Sequence, residues 1–137
     1  MNMASKWHKQ PCPICGEGTL HDQTRKQQIE YRGKPYEYTE QGAFCDHCAD
    51  GFADHDAREE AAWLAFRDQT DAEEAAALAH IRKKLKLTQK EAAILTGGGK
   101  NAFSRYERGE ARPLPAVVNL FKLLDKHPEL LKEIKPR

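Results

Sequence analysis

The chain has 137 residues, of which 31% are charged and 39% hydrophobic, and its formal net charge is +1. Its apolar runs fall far short of the roughly 20 residues that a membrane helix needs. The N-terminal sequence MNMASKWHKQ also lacks the apolar stretch of a signal peptide. These features argue against a membrane-spanning or exported protein and predict a cytoplasmic one.

Charge is distributed unevenly along the chain. Met1–Ala76 contains 8 Lys and Arg against 15 Asp and Glu, a net of −7, whereas Ala77–Arg137 contains 14 against 6, a net of +8. A basic segment attracts polyanions and an acidic one repels them, so the two halves are expected to meet different partners. We predict two domains, 1–69 and 70–137, joined by the polar stretch Asp68–Glu74, which carries no core candidate. This linker lacks the Gly, Ser or Pro bias of a flexible tether, so part of it can be helical.

The acidic half contains two Cys-x-x-Cys pairs, separated by 29 residues. Each pair can grip one metal ion from a tight turn, and two pairs supply the tetrahedral sulfur set that Zn²⁺ accepts. The predicted ligands of a structural zinc ion are Cys12, Cys15, Cys45 and Cys48. Four thiolates leave no open coordination position, which argues against a catalytic metal. The alternatives are disulfides, which persist mainly in oxidising compartments, redox thiols, and an iron–sulfur cluster.

Between the cysteine pairs, Gln28–Tyr31 and Tyr36–Tyr38 alternate in polarity on either side of the turn Arg32-Gly-Lys-Pro35, which predicts a β-hairpin. About 60 residues with so few aliphatic side chains bury little core, so the metal is expected to stabilise this domain. A helix is predicted over Asp56–Gln69, with Trp63 as a core residue; the alternative for Trp63 is an exposed interface residue. Four histidines near the cysteines are predicted to be exposed to solvent rather than to bind metal: His8, His21, His47 and His55.

The basic half shows helical periodicity from Ala75 to Leu87, where Leu78, Ile81 and Leu85 recur on one face and Arg82 is assigned to the surface. Thr88-Gln-Lys-Glu91 has the form of a capping box and predicts a second helix through Leu95. Three glycines end it. Further helices are predicted from about Lys100 to Arg108, from a start at Arg112–Pro115 with Pro115 in the first turn, and over Glu129–Ile134. The expected fold is mainly α, with a small zinc-bound α+β N-terminal domain and a C-terminal five-helix domain.

The third of these helices carries the candidate nucleic-acid contacts. Asn101, Arg105 and Arg108 stand at i, i+4 and i+7 and so line one outward stripe, while Phe103 and Tyr106 face inward. Two short helices joined by a glycine turn, the second bearing amide and guanidinium groups, are typical of a helix-turn-helix. Arginine suits guanine, and asparagine suits adenine or a phosphate. The predicted DNA-binding residues are Gln89, Lys100, Asn101, Ser104, Arg105 and Arg108.

Several segments together resemble the MqsA-type antitoxins: the cysteine pairs, Leu87-Thr-Gln-Lys-Glu-Ala, Asn101-Ala-Phe-Ser-Arg-Tyr-Glu-Arg-Gly109 and Leu124-Asp-Lys-His-Pro-Glu-Leu-Leu131. This resemblance implies an N-terminal zinc domain that neutralises an RNase toxin of MqsR type. It also implies an Xre-like C-terminal domain that dimerises on operator DNA and represses its own operon. On the family pattern, Asn101 and Arg105 read the bases.

The function expected from the sequence is therefore that of a non-enzymatic antitoxin and transcriptional repressor. Its partners would be double-stranded operator DNA, an RNase toxin encoded nearby, and a second copy of the chain bound through the C-terminal domain. The alternative is a free-standing zinc-containing helix-turn-helix regulator with another N-terminal partner. An enzyme with a catalytic metal would require an open coordination position, which four thiolates do not leave.

Overall fold

The computed structural model describes residues 5–135, which form three strands and five α-helices. The strands are β1 (Leu20–Tyr31), β2 (Lys34–Cys45) and β3 (Gly51–Ala53). The helices are α1 (Ala57–Lys84), α2 (Gln89–Leu95), α3 (Ala102–Glu107), α4 (Pro115–Lys126) and α5 (Leu131–Ile134), with a 3₁₀ turn at Pro128–Leu130. The chain divides into two compact units between Phe66 and Arg67. None of the helices in the described range is long and apolar enough to cross a membrane.

The N-terminal unit is built on an antiparallel sheet of order β1-β2-β3. The hairpin was predicted as two short strands, but β1 and β2 are paired over their full 12 residues, from Leu20 opposite Cys45 to Tyr31 opposite Lys34. The mainly α prediction is therefore wrong in its proportions. The turn residues Arg32 and Gly33 have φ values of 48° and 85°, the left-handed pair of a type I′ hairpin. This turn fixes the register along polar strands that have little hydrophobic pattern of their own.

Aromatic side chains cover the distal part of the hairpin. The Trp63 ring lies 5.5 Å from that of Tyr31 and 5.3 Å from that of Tyr36, and Phe66 lies 4.8 Å from Tyr36. Trp63 is half-buried rather than fully enclosed. These contacts hold the first turns of α1 against the sheet within the N-terminal unit.

Helix α1 is continuous from Ala57 to Lys84, so the two helices predicted on either side of Asp68–Glu74 form a single helix. That stretch contains neither Gly nor Pro, and its side chains bond along the helix, as when the Gln69 amide donates to Glu73 at 2.8 Å. Thr70 is 3% exposed, although the stretch was expected to hold no core residue. The physical reason is that polar residues with adequate helix propensity continue a helix when neighbouring turns are packed.

The C-terminal unit has its own hydrophobic core, formed by α1, α2, α3 and α4. Phe103 and Phe121 are both 0% exposed, and their rings lie 5.1 Å apart. The predicted inward face of α3 is confirmed, because Ala102 and Tyr106 also pack on this core. The remaining buried members are Leu78, Ile81, Leu85, Leu87, Ala92, Ala93, Val117 and Leu124.

Candidate metal centre and helical surface

The four cysteines meet at one point of the N-terminal unit. Their sulfur atoms all lie within 4.8 Å of one another, with Cys12 Sγ 3.8 Å from Cys48 Sγ and Cys15 Sγ 3.6 Å from Cys45 Sγ. All four are free thiols. Since no pair is joined as a disulfide and each sulfur is within reach of a common centre, the cluster can bind a metal ion through four sulfurs.

Two tight turns aim the sulfurs inward. In the first, the Gly16 N–H donates to the Cys12 carbonyl at 2.9 Å, and Gly16 has a φ of 74°. In the second, the Ala49 N–H donates to the Cys45 carbonyl at 3.2 Å, and Ala49 has a φ of 65°. The C-terminal end of β2 thus delivers Cys45, while a glycine or small residue closes each turn in the left-handed region.

The sulfurs also accept hydrogen bonds from the backbone. Amides of Glu17 and Gly18 lower the pKa of the Cys15 thiol to about 6. The pKa of Cys48 is raised to about 12, because burial and hydrogen bonds with the other three thiols outweigh a backbone hydrogen bond from Asp50 that lowers it. Four thiolates this close together repel one another, so full deprotonation of the cluster requires a bound cation.

The histidines around the cysteine cluster pair with carboxylates rather than pointing at the centre of the four sulfur atoms. His21 Nε2 lies 3.1 Å from Asp46 Oδ2, and His47 Nε2 lies 2.9 Å from Glu17 Oε2. His55 is exposed, with its ring 3.5 Å from Glu60. His8 departs from the expectation of solvent exposure, since its side chain is only 29% exposed.

Gly18 is a positioning residue that the sequence analysis missed. A Cβ at this position would collide with Cys45 Sγ and would lie 2.7 Å from the Cβ of His47. We expect Gly18→Ala to displace Cys45 and to abolish stoichiometric metal binding, as measured by elemental analysis of the purified protein.

The matched control is Gly16→Ala, where nothing lies within 4 Å of the added Cβ but φ is left-handed. It should destabilise the unit by about 1–2 kcal/mol through backbone strain and still bind metal. Equal metal contents in the two variants would contradict the role of Gly18.

In the C-terminal unit, α2 and α3 are joined by the glycine turn. The predicted capping box is confirmed: the Glu91 N–H donates to Thr88 Oγ1 and the Thr88 N–H donates to the Glu91 carboxylate, both at 3.0 Å. Gly97, with a φ of 76°, ends α2. A Cβ on Gly98 would lie 3.0 Å from that of Ala102, so the turn passes close to the start of α3.

The predicted DNA-binding residues occupy different environments on this pair of helices. Asn101 caps α3 without a side-chain capping bond, and both Asn101 and Arg105 are exposed. Arg108 is also exposed, but its guanidinium pairs with Glu110 at 3.1 Å and donates to the Ser104 carbonyl. The rest lie at or near the helix starts: Lys100 is exposed, while Gln89 and Ser104 are half-buried.

Arg82, assigned to the surface from the sequence, is buried. Its Nε and Nη2 donate to the two carboxylate oxygens of Glu107 at 2.8 and 2.9 Å, and its Nη1 donates to the Leu87 carbonyl at 2.7 Å. A bidentate pair of this kind fixes geometry as well as adding energy. It connects α1, the turn before α2, and α3. Its position beside Ile81 and one turn after Leu78 is the sequence signal that could have revealed it.

The geometry defines the class of protein: a unit with a four-cysteine cluster that can bind a metal ion, followed by a small helical unit. Residues 10–135 match a family model described as the antitoxin component of a bacterial toxin-antitoxin system, MqsA. The chain is also 40% identical over 129 residues to Antitoxin MqsA of Escherichia coli (strain K12), an alignment covering 90% of this chain and 98% of that protein.

The chain therefore belongs to the MqsA antitoxin family. Membership establishes an antitoxin role and confirms the resemblance seen in the sequence. The family is one of regulatory proteins.

Proposed function

We propose that this chain neutralises an MqsR-like mRNA endonuclease through its N-terminal unit and represses transcription by binding operator DNA through its C-terminal unit. The proposal assigns toxin binding to 1–69 and DNA binding with dimerisation to 70–137. Family membership supports the pairing of the two roles, and the opposite charges of the two halves support their separation.

The metal in this proposal is a structural Zn²⁺ held by Cys12, Cys15, Cys45 and Cys48. The donor set supports zinc, because closed tetrahedral sites of four thiolates are typical structural zinc sites. When bound, zinc supplies cross-linking rather than chemistry. The N-terminal unit needs such a link, since its buried cluster consists of Leu20 and Ala43 besides two of the cysteines.

The DNA-binding part of the proposal depends on one observation. Asn101 and Arg105 are exposed on the same face of α3, and within residues 5–135 neither side chain is hydrogen-bonded or ion-paired. In the proposed helix-turn-helix, α3 enters the major groove, where Arg105 addresses guanine and Asn101 adenine. Gln89 and Lys100 reach phosphates, and Ser104 and Arg108 flank the base contacts. To contact DNA, Arg108 must break its ion pair with Glu110.

Dimerisation through the C-terminal unit is supported by apolar side chains that this unit leaves exposed. Leu114 is 67% exposed and Leu123 is 50% exposed on α4 or at its start. A dimer presents two copies of α3 to the two half-sites of a palindromic operator.

We expect Arg105→Ala to weaken operator binding by roughly 1–3 kcal/mol and to relax the preference at one base pair per half-site. The measurement is a titration of labelled operator and of single-base variants at several salt concentrations.

Lys83→Ala provides the control, since Lys83 is an exposed cation outside α3. It should leave base preference unchanged and at most reduce the salt dependence of binding. If Arg105→Ala weakened binding to every sequence equally, Arg105 would contact a phosphate and the assigned base contact would be wrong.

The toxin-binding half is supported by the acidic character of the N-terminal part of the chain. An RNase binds phosphates, so it presents positive charge that an acidic surface complements. Inhibition would follow from occupation of that surface, without any catalytic step by the antitoxin.

A further inference from the structure

A short N-terminal segment, Ser5–Gln10, runs beside β1 next to the cysteine cluster; we name it the strap. It pairs with the start of β1 through the backbone: the Lys9 N–H donates to the Leu20 carbonyl at 2.7 Å, and the Leu20 N–H donates to the Gln10 carbonyl at 2.8 Å. Residues 5–9 precede the range that the family model matches, which begins at residue 10. The family match therefore does not include residues 5–9 of this segment.

Polar side chains fasten the strap to Asp22 of β1. The Ser5 N–H and Oγ donate to the two carboxylate oxygens of Asp22 at 2.9 and 2.6 Å. The Asp22 N–H in turn donates to Nδ1 of His8 at 2.9 Å. Charge-assisted bonds such as those of Ser5 to a carboxylate are the stronger kind. The strap is thus held at its beginning as well as at its end.

Trp7 reaches from the strap onto the face of the sheet that bears Cys45. The register places Leu20 opposite Cys45 and Ala43 opposite Phe52, so these side chains share one face. The Trp7 ring stacks on Phe52 at 4.5 Å with an interplanar angle of 21°. Trp7 and Phe52 both pack against the buried cluster that includes Cys12 and Cys45.

We propose that the strap slows the loss of the metal. While Trp7 packs against the buried cluster that contains Cys12 and Cys45, zinc leaves the four cysteines slowly, and its release requires the strap to detach. The proposal rests on the proposed zinc ion at the four cysteines. An apolar layer over a metal site limits the access of water and competing ligands, and groups outside the ligand shell commonly change metal affinity by about 10–100-fold. Detachment breaks the strap's own hydrogen bonds and the stack of Trp7 on Phe52 but none of the β1–β2 pairs, so it can occur without unfolding the unit.

The test is the rate at which full-length, zinc-loaded protein transfers zinc to an excess of the chromogenic chelator 4-(2-pyridylazo)resorcinol. Trp7→Ala removes the cover, and Asp22→Ala removes the fastening at Ser5. We expect each to accelerate zinc transfer by about tenfold. The matched control is Trp63→Ala. It also removes a tryptophan side chain from the N-terminal unit, but one that contacts Tyr31, Tyr36 and Phe66.

Amide hydrogen exchange separates local detachment from unfolding. In Trp7→Ala, exchange should accelerate at the Lys9 and Leu20 amides and stay unchanged at Ile29 and Tyr38 in the hairpin. Equal zinc-transfer rates for Trp7→Ala and Trp63→Ala would overturn the proposed role of the strap. So would amide exchange in the hairpin that accelerates as much as exchange at the Leu20 amide. Absence of zinc from the wild-type protein would overturn the metal assignment together with the strap, whereas unchanged variant rates with stoichiometric zinc would overturn the strap alone.

Discussion

Replacing Cys45 by serine is expected to release the metal and unfold the N-terminal unit. Cys45 is 4% exposed, and its sulfur lies within 4.8 Å of the other three cysteine sulfurs and also accepts backbone hydrogen bonds from His47 and Cys48. Structural zinc contributes apparent binding free energies of about 10–16 kcal/mol in zinc-finger peptides, far more than a small apolar cluster supplies. Zinc content and hairpin amide exchange measure the result.

Two controls make this prediction specific. His47→Ala changes a neighbour of the cluster that pairs with Glu17, and it should retain zinc. The amides of Phe103 and Phe121, in the core of the C-terminal unit, should exchange as slowly in Cys45→Ser as in the unmodified protein. Full zinc stoichiometry in Cys45→Ser would contradict the four-sulfur site.

The second large effect is expected at the buried pair of Arg82 and Glu107. Their side chains are each 11% exposed, so Glu107→Ala leaves a guanidinium buried without its carboxylate partner. Removing one partner of such a pair costs about 3–5 kcal/mol, which should lower the free energy of unfolding of the C-terminal unit. The global opening free energy at the Phe103 amide, obtained from hydrogen exchange, reports this loss directly.

The exposed pair of Lys84 and Asp125 supplies the comparison. Lys84 Nζ lies 2.8 Å from Asp125 Oδ1, but the side chains are 50% and 40% exposed, so Lys84→Ala should cost only about 0–1 kcal/mol. Replacing both Arg82 and Glu107 by apolar residues of similar size should cost less than Glu107→Ala, because no buried charge remains unpaired. A loss in Glu107→Ala no larger than that in Lys84→Ala would contradict the account.

The features that the sequence predicted correctly depend on short-range chemistry. The Cys-x-x-Cys pairs predict a metal site because their spacing suits a tight turn, and the four cysteines lie close together in the structure. Thr88 and Glu91 form the expected capping box, and Pro115 stands in the first turn of α4 as predicted. In each case the residues that determine the structure lie within one turn of one another.

The features that were missed depend on contacts between distant residues. The hairpin is longer than predicted because polar cross-strand pairs extend it, as where Arg25 faces Glu40 with a 2.7 Å ion pair. No hydrophobic alternation marks that part of β1. Arg82 and Glu107 are separated by 25 residues, and Ser5 and Asp22 by 17, so a local pattern could mark Arg82 as buried but could not show which residues pair.

The continuity of α1, predicted as two separate helices, was missed for a different reason. Its polar centre suggested a linker, since the stretch around Thr70 shows no apolar periodicity. Helix propensity and packing at both ends nonetheless carry the helix through. Polarity alone therefore does not show that a helix ends when glycine and proline are absent.

The central claim is that this chain acts as the antitoxin of an mRNA endonuclease. The most direct test is to purify the full-length chain from its native host under mild conditions, identify any protein bound to it, and measure RNA cleavage by that protein alone and after re-addition of the chain. The account predicts a nuclease whose cleavage of RNA is abolished when the wild-type chain is added in stoichiometric amount. Cleavage should continue when the Cys45→Ser variant is added in its place. A bound protein without RNase activity, or a nuclease that remains fully active in the complex, would contradict it.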